Sequence, residues 1–442
     1  LGIDKEINKD FRFGINLGAE INDSYGRSVF SSTGGDGLKT ENKFALVYGI
    51  TPTTSDGEYR IQKQAVYGTG QLVYRNMLYL DVTARNDWSS TLPAPYRYFY
   101  PSIGLTGVVS DMFKLPEAIS FAKVRASYAE VGNDASFAQI YQTFSAVASG
   151  PVGMIKLGSS KVATELIPEK TKSWEAGAEL RFFENRFGLD FTYYKSNTFN
   201  QLLKVTTPSG TGYSSALINC GNIQNTGFEL MLSGTPVKTG DFTWDVYGHF
   251  SKNDNKVIEL AKTLKEYDLG TPKNVVGTVK VIEGQPYGEV YARGFEKDEQ
   301  GRVVVATNGI PKVTAEPDAD YLGNMNYDWR SGLTNTFTYR NWSLNFLIDL
   351  NYGGVRQSGT EANLLLYGNS ESSLYGREGF IFDGVKEDGT KNDITITAQQ
   401  YAVVIANRGS AAVGELFNHD ATNSRLRELS VGYNFKFNRF VK

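Results

Sequence analysis

Two histidines and one cysteine are all that this 442-residue chain offers to metal or thiol chemistry. His249 falls in the polar register of an alternating run, and His419 precedes Asp420 in a loop-like stretch. Neither has a second ligand at metal spacing, whereas a zinc centre takes three or four. Both read as solvated histidines. Cys220, within Asn219-Cys220-Gly221-Asn222, has no disulfide partner and reads as incidental. Asp318 and Asp320, and Asp298 ahead of Gly301, have a spacing reminiscent of calcium loops. None completes an EF-hand pattern, which needs further carboxylates and a terminal Glu, and ordinary turn chemistry accounts for them. No Gly-x-Ser-x-Gly elbow presents a nucleophile. A Ser/His or Asp/His pair would have to be assembled from distant strands. No catalytic, metal or cofactor-binding residue is therefore assigned, and the chain is not expected to be an enzyme.

Eight charged residues of mixed sign stand in the polar register of alternating runs: Asp81, Arg85, Lys123, Arg125, Glu175, Glu179, Arg181 and Asp190. Seven tyrosines outside or at the ends of such runs are candidates for substrate or partner contact: Tyr96, Tyr98, Tyr100, Tyr141, Tyr213, Tyr367 and Tyr375. Aromatic faces suit sugar rings and peptide side chains alike, so they do not choose between glycan and peptide.

The elements that must position these groups are strands. Phe11, Phe13, Ile15, Leu17 and Ala19 alternate with Arg12, Gly14, Asn16, Gly18 and Glu20, which is strict period two. Leu78, Leu80, Val82 and Ala84 do the same against Tyr79, Asp81, Thr83 and Arg85, and similar runs lie at 173–182, 242–250, 342–350 and 427–435. Only Asp111–Ile119 and Glu259–Tyr267 could be briefly helical. No run approaches the ~18 apolar residues of a spanning helix, but each alternating segment is about the 9–11 residues that a tilted barrel strand needs. A net charge of -3 gives no electrostatic footprint of a nucleic-acid binder. Phe, Tyr and Trp at 13% of the chain suit a strand-rich class. The class is all-β.

Connections alternate in length. Tight turns fall at Arg75-Asn76, Glu184-Asn185, Lys238–Asp241 and Arg340-Asn341, with a slightly longer one at 110–120. Long segments lie at about 21–63, 132–172, 196–226, 252–331 and 352–424. Outer-membrane barrels pair short periplasmic turns with longer extracellular loops in this way. Parity then gives twelve crossings, beginning near 11, 64, 77, 98, 121, 173, 186, 227, 242, 332, 342 and 425. It leaves Lys43–Ile50 in a loop, with a hairpin-like stretch at Arg293–Val305 that turns at Gln300-Gly301. Aromatics at strand ends, such as Tyr96–Tyr100, Tyr193-Tyr194, Phe182-Phe183 and Trp342, match the interfacial belts of such barrels.

Several stretches, in order, resemble the barrel of SusC/RagA-type TonB-dependent outer-membrane transporters of Bacteroidota. They are RNDWSSTLP (85–93), YFYPSIGLTGVVSD (98–111), KVRASYAEVGND (123–134), the long run 168–203, GYSSALINCGNIQNTGFEL (212–230), LTNTFTYRNWSLNFLID (333–349) and SRLRELSVGYNF (424–435). The resemblance implies a 22-stranded antiparallel transmembrane barrel around an N-terminal plug, of which residues 1–442 would be a barrel portion lacking the plug and the last two strands. Numbered from that barrel, the crossings run from 9 to 20, with odd strands outward and even strands inward. It also implies TonB acting through an N-terminal region, a SusD-like surface lipoprotein over the mouth, and a dimer of such pairs among the possible assemblies. The lumen-facing charges would then be plug-docking and solvation groups. The expected function is TonB-dependent import of oligosaccharides or oligopeptides across the bacterial outer membrane, without a cofactor. An outer-membrane barrel hydrolase and a secreted β-rich glycan-binding or adhesion protein remain the alternatives.

Overall fold

Alternation becomes strand along most of the chain. The computed structural model describes residues 1–147, 154–162, 166–261, 264–270, 276–406 and 412–435. Its main sheet follows chain order through Gly2–Glu6, Phe11–Ser32, Thr53–Tyr74, Leu78–Ser89, Arg97–Val108, Ile119–Asn133, Glu169–Phe182, Phe187–Thr206, Ser215–Lys238, Phe242–Glu259, Trp329–Tyr339, Trp342–Tyr352 and Asn423–Tyr433. Ser160–Lys161 joins it in parallel beside Ser215–Lys238. Each expected crossing has its strand. Gly2–Glu6 is additional, and it pairs antiparallel with Arg12–Asn16. Its Gly-Ile-Asp-Lys-Glu sequence is too short and polar to show a period.

The chain divides into two compact units, residues 1–105, 127–172 and 199–220, and residues 106–126, 173–198 and 221–442. In the first, Phe11–Ser32 and Thr53–Tyr74 form an unbroken 22-residue hairpin. At ~3.3 Å per residue the arms reach roughly 70 Å, with about twice the ~9–11 residues that a tilted strand needs to cross a bilayer's hydrocarbon. The ladder thus continues far past the apolar stretch, through Ser31 and Ser32 against Thr54 and Thr53. The strands that hold the expected crossings near 64 and 227 begin earlier than those crossings, at Thr53 and Ser215. In water the backbone pairing needs no apolar alternation, so the pattern stops before the strand does. Lys43–Ile50 contains a short 3-10 turn at Leu46–Tyr48. Arg75 and Asn76 both take positive φ at the opposite end, as a tight hairpin turn demands.

One face of these strands is apolar and exposed: Leu72, Leu78, Val82, Ile103 and Leu105. Its opposite is polar, with Gln71 across from Asp81, and Thr83 sharing a hydrogen bond with Ser102 at 2.6 Å. An exposed apolar sheet face marks a surface that something other than water covers.

The second unit shows the same two faces. Phe242–Glu259, Trp329–Tyr339, Trp342–Tyr352 and Asn423–Tyr433 pair antiparallel in sequence. Leu333, Leu344, Leu350, Leu429 and Val431 are exposed. A register shift at Leu347/Ile348 puts Leu426 opposite Ile348, while Arg427 reaches Asp349 at 2.8 Å. Two aromatic rows cross the strands. Phe191, Phe228, Phe250, Trp329 and Tyr352 stack successively at 6.1, 5.7, 5.6 and 5.4 Å. Trp244, Phe337 and Phe346 form a second row at 5.8 and 6.1 Å. Six residues separate Phe250 from Trp244 and eight separate Trp329 from Phe337, about 20–26 Å of strand. At the ~40° tilt of barrel strands this is roughly 15–20 Å of height, which fits inside the ~25 Å apolar band of a membrane barrel.

Buried apolar clusters lie in the connections between the strands of the main sheet. Leu92, Ala135 and Leu166 form one in the first unit. Val276, Phe295, Ala362, Ile405, Val413 and Phe417 belong to another in the second. That second cluster joins segments 260–328 and 353–422, which carry a four-stranded sheet (Glu266–Gly270, Thr278–Ile282, Tyr287–Ala292, Asp320–Asn324) and two helices, Gly359–Leu366 and Ala398–Ile405. Ser358 caps the first helix, and a Thr397/Gln400 capping box starts the other. Segment 111–119 yields only the turn Val109–Met112. Glu259–Tyr267 is not helical where described: a strand ends at Glu259, Ala261 bridges Leu264, and the next strand begins at Glu266. The Arg293–Val305 hairpin is present, with Lys297 bridging Val303 and Gly301 at φ +79°.

Candidate functional site

Period two sets Lys123 and Arg125 on one side of Ile119–Asn133, and Glu179 and Arg181 on one side of Glu169–Phe182. There they meet. Arg125 grips Asp190 with two hydrogen bonds, at 2.6 and 3.0 Å, and donates to the Thr192 hydroxyl at 2.6 Å. Gly177 makes room for this, because a Cβ there would lie 2.8 Å from the Arg125 guanidinium. Lys123 pairs with Glu179, which also accepts from Arg181 at 2.8 Å. The Arg181 guanidinium lies 5.1 Å above the Phe121 ring. Glu175 adds a further negative charge near Arg125. Six of the eight expected charges thus stand in one half-buried network of the second unit. Asp81 and Arg85 are held separately in the first. Asp81 accepts from Gln71 at 2.8 Å, and Arg85 pairs with Asp87 at 2.7 Å and Glu20 at 3.3 Å. The charges of both signs in these groups lie against one another.

The tyrosines separate into two kinds. Tyr98 packs on the Leu92/Ala135/Leu166 cluster and stacks with Tyr100 at 5.6 Å, and Tyr100 donates to Asp87 at 2.8 Å. Both serve the fold. The Tyr213 backbone carbonyl accepts from the Thr207 and Thr211 hydroxyls. Tyr96, Tyr141, Tyr367 and Tyr375 are exposed, Tyr375 most of all at 73%. Tyr367 lines a 410 Å³ cleft with Leu366, Arg377 and Thr397, and Tyr375 lines another of 210 Å³ with Glu361 and Phe417. Tyr141 lines a 300 Å³ cleft in the first unit.

The scarcer groups are all engaged or covered. A Cβ at Gly332 would collide with the His249 ring, so imidazole and glycine lie flush. His419 stands 2.7 Å from Glu361. Cys220 is buried, and burial pushes its thiol up, away from the reactive thiolate. Asp318 pairs with the buried Lys280. Asp298 accepts from Arg302 and from the backbone N–H groups of Gln300 and Arg302. Asp320 holds its carboxylate against Gly294. Among the described residues no three His, Cys, Asp or Glu side chains converge as metal ligands.

Sequence reasoning missed Asp134. It accepts from Ser89 at 2.6 Å, Thr91 at 3.0 Å and Lys63 at 2.9 Å, which ties the 89–96 turn to the end of Ile119–Asn133. Burial raises its carboxyl, but the three donors together outweigh this and hold it below the usual range. The stretch RNDWSSTLP carries Ser89 and Thr91 and the stretch KVRASYAEVGND ends in Asp134 itself, while Lys63 lies outside both; nothing in either stretch reveals that they meet.

The family model described as "TonB dependent receptor-like, beta-barrel" matches residues 3–281. TonB-dependent receptor P3 of Formosa agariphila is 24% identical over 403 residues, covering 80% of this chain and 40% of that protein. TonB-dependent receptor SusC of Bacteroides thetaiotaomicron is 22% identical over 419 residues, covering 87% of this chain and 40% of that one. The structure of the RagAB peptide transporter superposes with a TM-score of 0.75 at 17% identity, over 98% of this chain and 48% of that chain. The chain thus spans less than half the length of these relatives. Antiparallel strands with one exposed apolar face, two aromatic rows and a family model covering more than half of the sequence agree: the chain belongs to the TonB-dependent receptor-like β-barrel family of the outer membrane.

Proposed function

We propose that these residues form barrel wall and outer loop layer of a transporter that imports oligosaccharides or oligopeptides across the outer membrane. A SusD-like lipoprotein covers its mouth, and TonB acts through a region outside this stretch of chain. One observation carries the reading. In each unit, strands with an exposed apolar face and a polar opposite face end in tight turns on one side and in cored, aromatic-bearing segments on the other. Such sidedness suits a wall that meets lipid outside, water within and a ligand at one end. The relatives are receptors and transporters by name, and a hydrolase would need a nucleophile or acid–base set that the paired network does not supply. The test uses the full-length protein in its own cells. Fluorescent oligosaccharides and oligopeptides should accumulate behind the outer membrane only when TonB is present, and an affinity-tagged barrel should co-purify a surface lipoprotein. Accumulation that is indifferent to TonB, or a barrel that purifies without a lipoprotein, would overturn the proposal.

A further inference from the structure

Two lysines of the first unit converge on one cleft. Lys161 and Lys204 have no ion-pair partner among the described residues, and both line the 300 Å³ cleft beside Phe137 and Tyr141. The cleft has a fixed base. Ser160 and Lys161 pair in parallel with Ser215 and Ala216, and the Ser160 and Ser215 hydroxyls meet at 2.8 Å. Lys204 sits near the outer end of Phe187–Thr206. Leu217 belongs both to the cleft lining and to the apolar packing around Leu92, Ala135 and Leu166. Phe137 is steadied by Tyr59 at 5.9 Å, while Tyr141 is 62% exposed. Gln139 also lines the cleft; its side-chain oxygen is taken by the Ser136 N–H, which leaves its amide N–H groups as donors.

Two ammonium groups without acidic partners attract a ligand's negative charge. Exposed rings give the apolar face of a sugar something to lie on, and hydroxyl and amide groups suit a polyhydroxylated ring. We propose that this cleft binds an anionic saccharide, a uronate or sulfated sugar unit of the imported oligomer; this rests on the importer reading and names its ligand class. The cleft's volume lies at the low end of the ~300–1,000 Å³ of ligand pockets, which suits a short saccharide segment. An acidic peptide fits less well. Extended peptides bind by adding to an open strand edge, and here Ser160–Lys161 already pairs with the Ser215 strand while Gln142 Nε2 donates to the Ser160 carbonyl at 3.4 Å.

The test is calorimetry on the full-length transporter with its lipoprotein. The probes are an oligogalacturonate, a sulfated oligosaccharide, a neutral malto-oligosaccharide of equal length and an oligoglutamate. At least one of the anionic saccharides should bind, more weakly as salt rises. Lys161→Gln/Lys204→Gln should weaken that binding about tenfold, and Tyr141→Ala should weaken it at every salt concentration. Neither change should alter heat-modifiable mobility or lipoprotein co-purification, so loss of binding is separable from loss of fold. Failure of both anionic saccharides to bind, equal binding by the double lysine variant, or tighter binding of oligoglutamate would each overturn the assignment. TonB-dependent uptake of a neutral oligomer, unaffected by the lysine changes, would sink the anionic cleft alone. No TonB-dependent uptake of any oligomer would sink the importer reading itself.

Discussion

Asp134 illustrates what a single residue does at the outer edge of the first unit. Its side chain is only 8% exposed, and Lys63, Ser89 and Thr91 all donate to it. Replacing it by Asn keeps the shape but removes the charge that strengthens three hydrogen bonds, a loss of about 1.5–3 kcal/mol. Amide exchange in the 88–98 stretch of Asp134→Asn should therefore be faster by about tenfold or more at neutral pH. The pH dependence has a definite sign. The folded carboxyl titrates below the unfolded one, so its contribution is complete above the unfolded value of about 3.9 and disappears as pH falls through the lower folded value. Protease cutting within 90–96 should separate wild type from variant above that window and converge below it. Equal exchange at neutral pH would mean that the turn is held by something else.

At the scale of elements, the two longest connections of the second unit are one body. Gly414 donates its N–H to the Arg293 carbonyl, the Asn418 side chain donates to the Val276 carbonyl at 2.7 Å, and Lys312 pairs with Glu387. Phe417 is 2% exposed at their shared core. Phe417→Ala should cost about 3–5 kcal/mol, and trypsin should then cut in both 293–315 and 353–406. The strands should stay heat-modifiable, since none of their pairing passes through Phe417. Cutting confined to 353–406 would show the segments to be independent. This coupling also fixes what was legible beforehand. Leu78–Ser89 and Trp342–Tyr352 announced themselves because a wall between lipid and water enforces alternation. Thr53–Gln62 did not, since a ladder in water accepts hydroxyls on both faces. Helices of eight residues at Gly359–Leu366 and Ala398–Ile405 are too short for a 3.6 period to stand out. Alternation marks Arg125 and Asp190 as residues of the polar face, but their bidentate pairing depends on strand register. Nothing in the sequence connects Lys161 with Lys204, because only the return of 158–162 to the Ser215 strand brings them to one cleft.

At the scale of the whole molecule the question is which end faces the medium, and the second unit allows it to be asked within one ladder. Phe242–Glu259 and Trp329–Tyr339 are bracketed at one end by the turns 239–241 and 340–341. At the other end lie 260–328 and 353–422, with their shared core. Two aromatic rows cross this ladder, about 20–26 Å apart along the strands, one toward each end of its apolar face. A barrel inserted with its tight turns toward the periplasm leaves Lys391 outside and Thr239 inside. Single cysteines replacing Lys391 and Thr239 should therefore behave oppositely toward an impermeant maleimide. The first should label on intact cells, and the second only after the outer membrane is permeabilised. Cys220 serves as the internal blank, being buried with its thiol pushed up. Labelling of position 239 on intact cells, with 391 protected, would invert the molecule. The cored segments would then face the periplasm, and neither a surface lipoprotein nor an external saccharide could reach them.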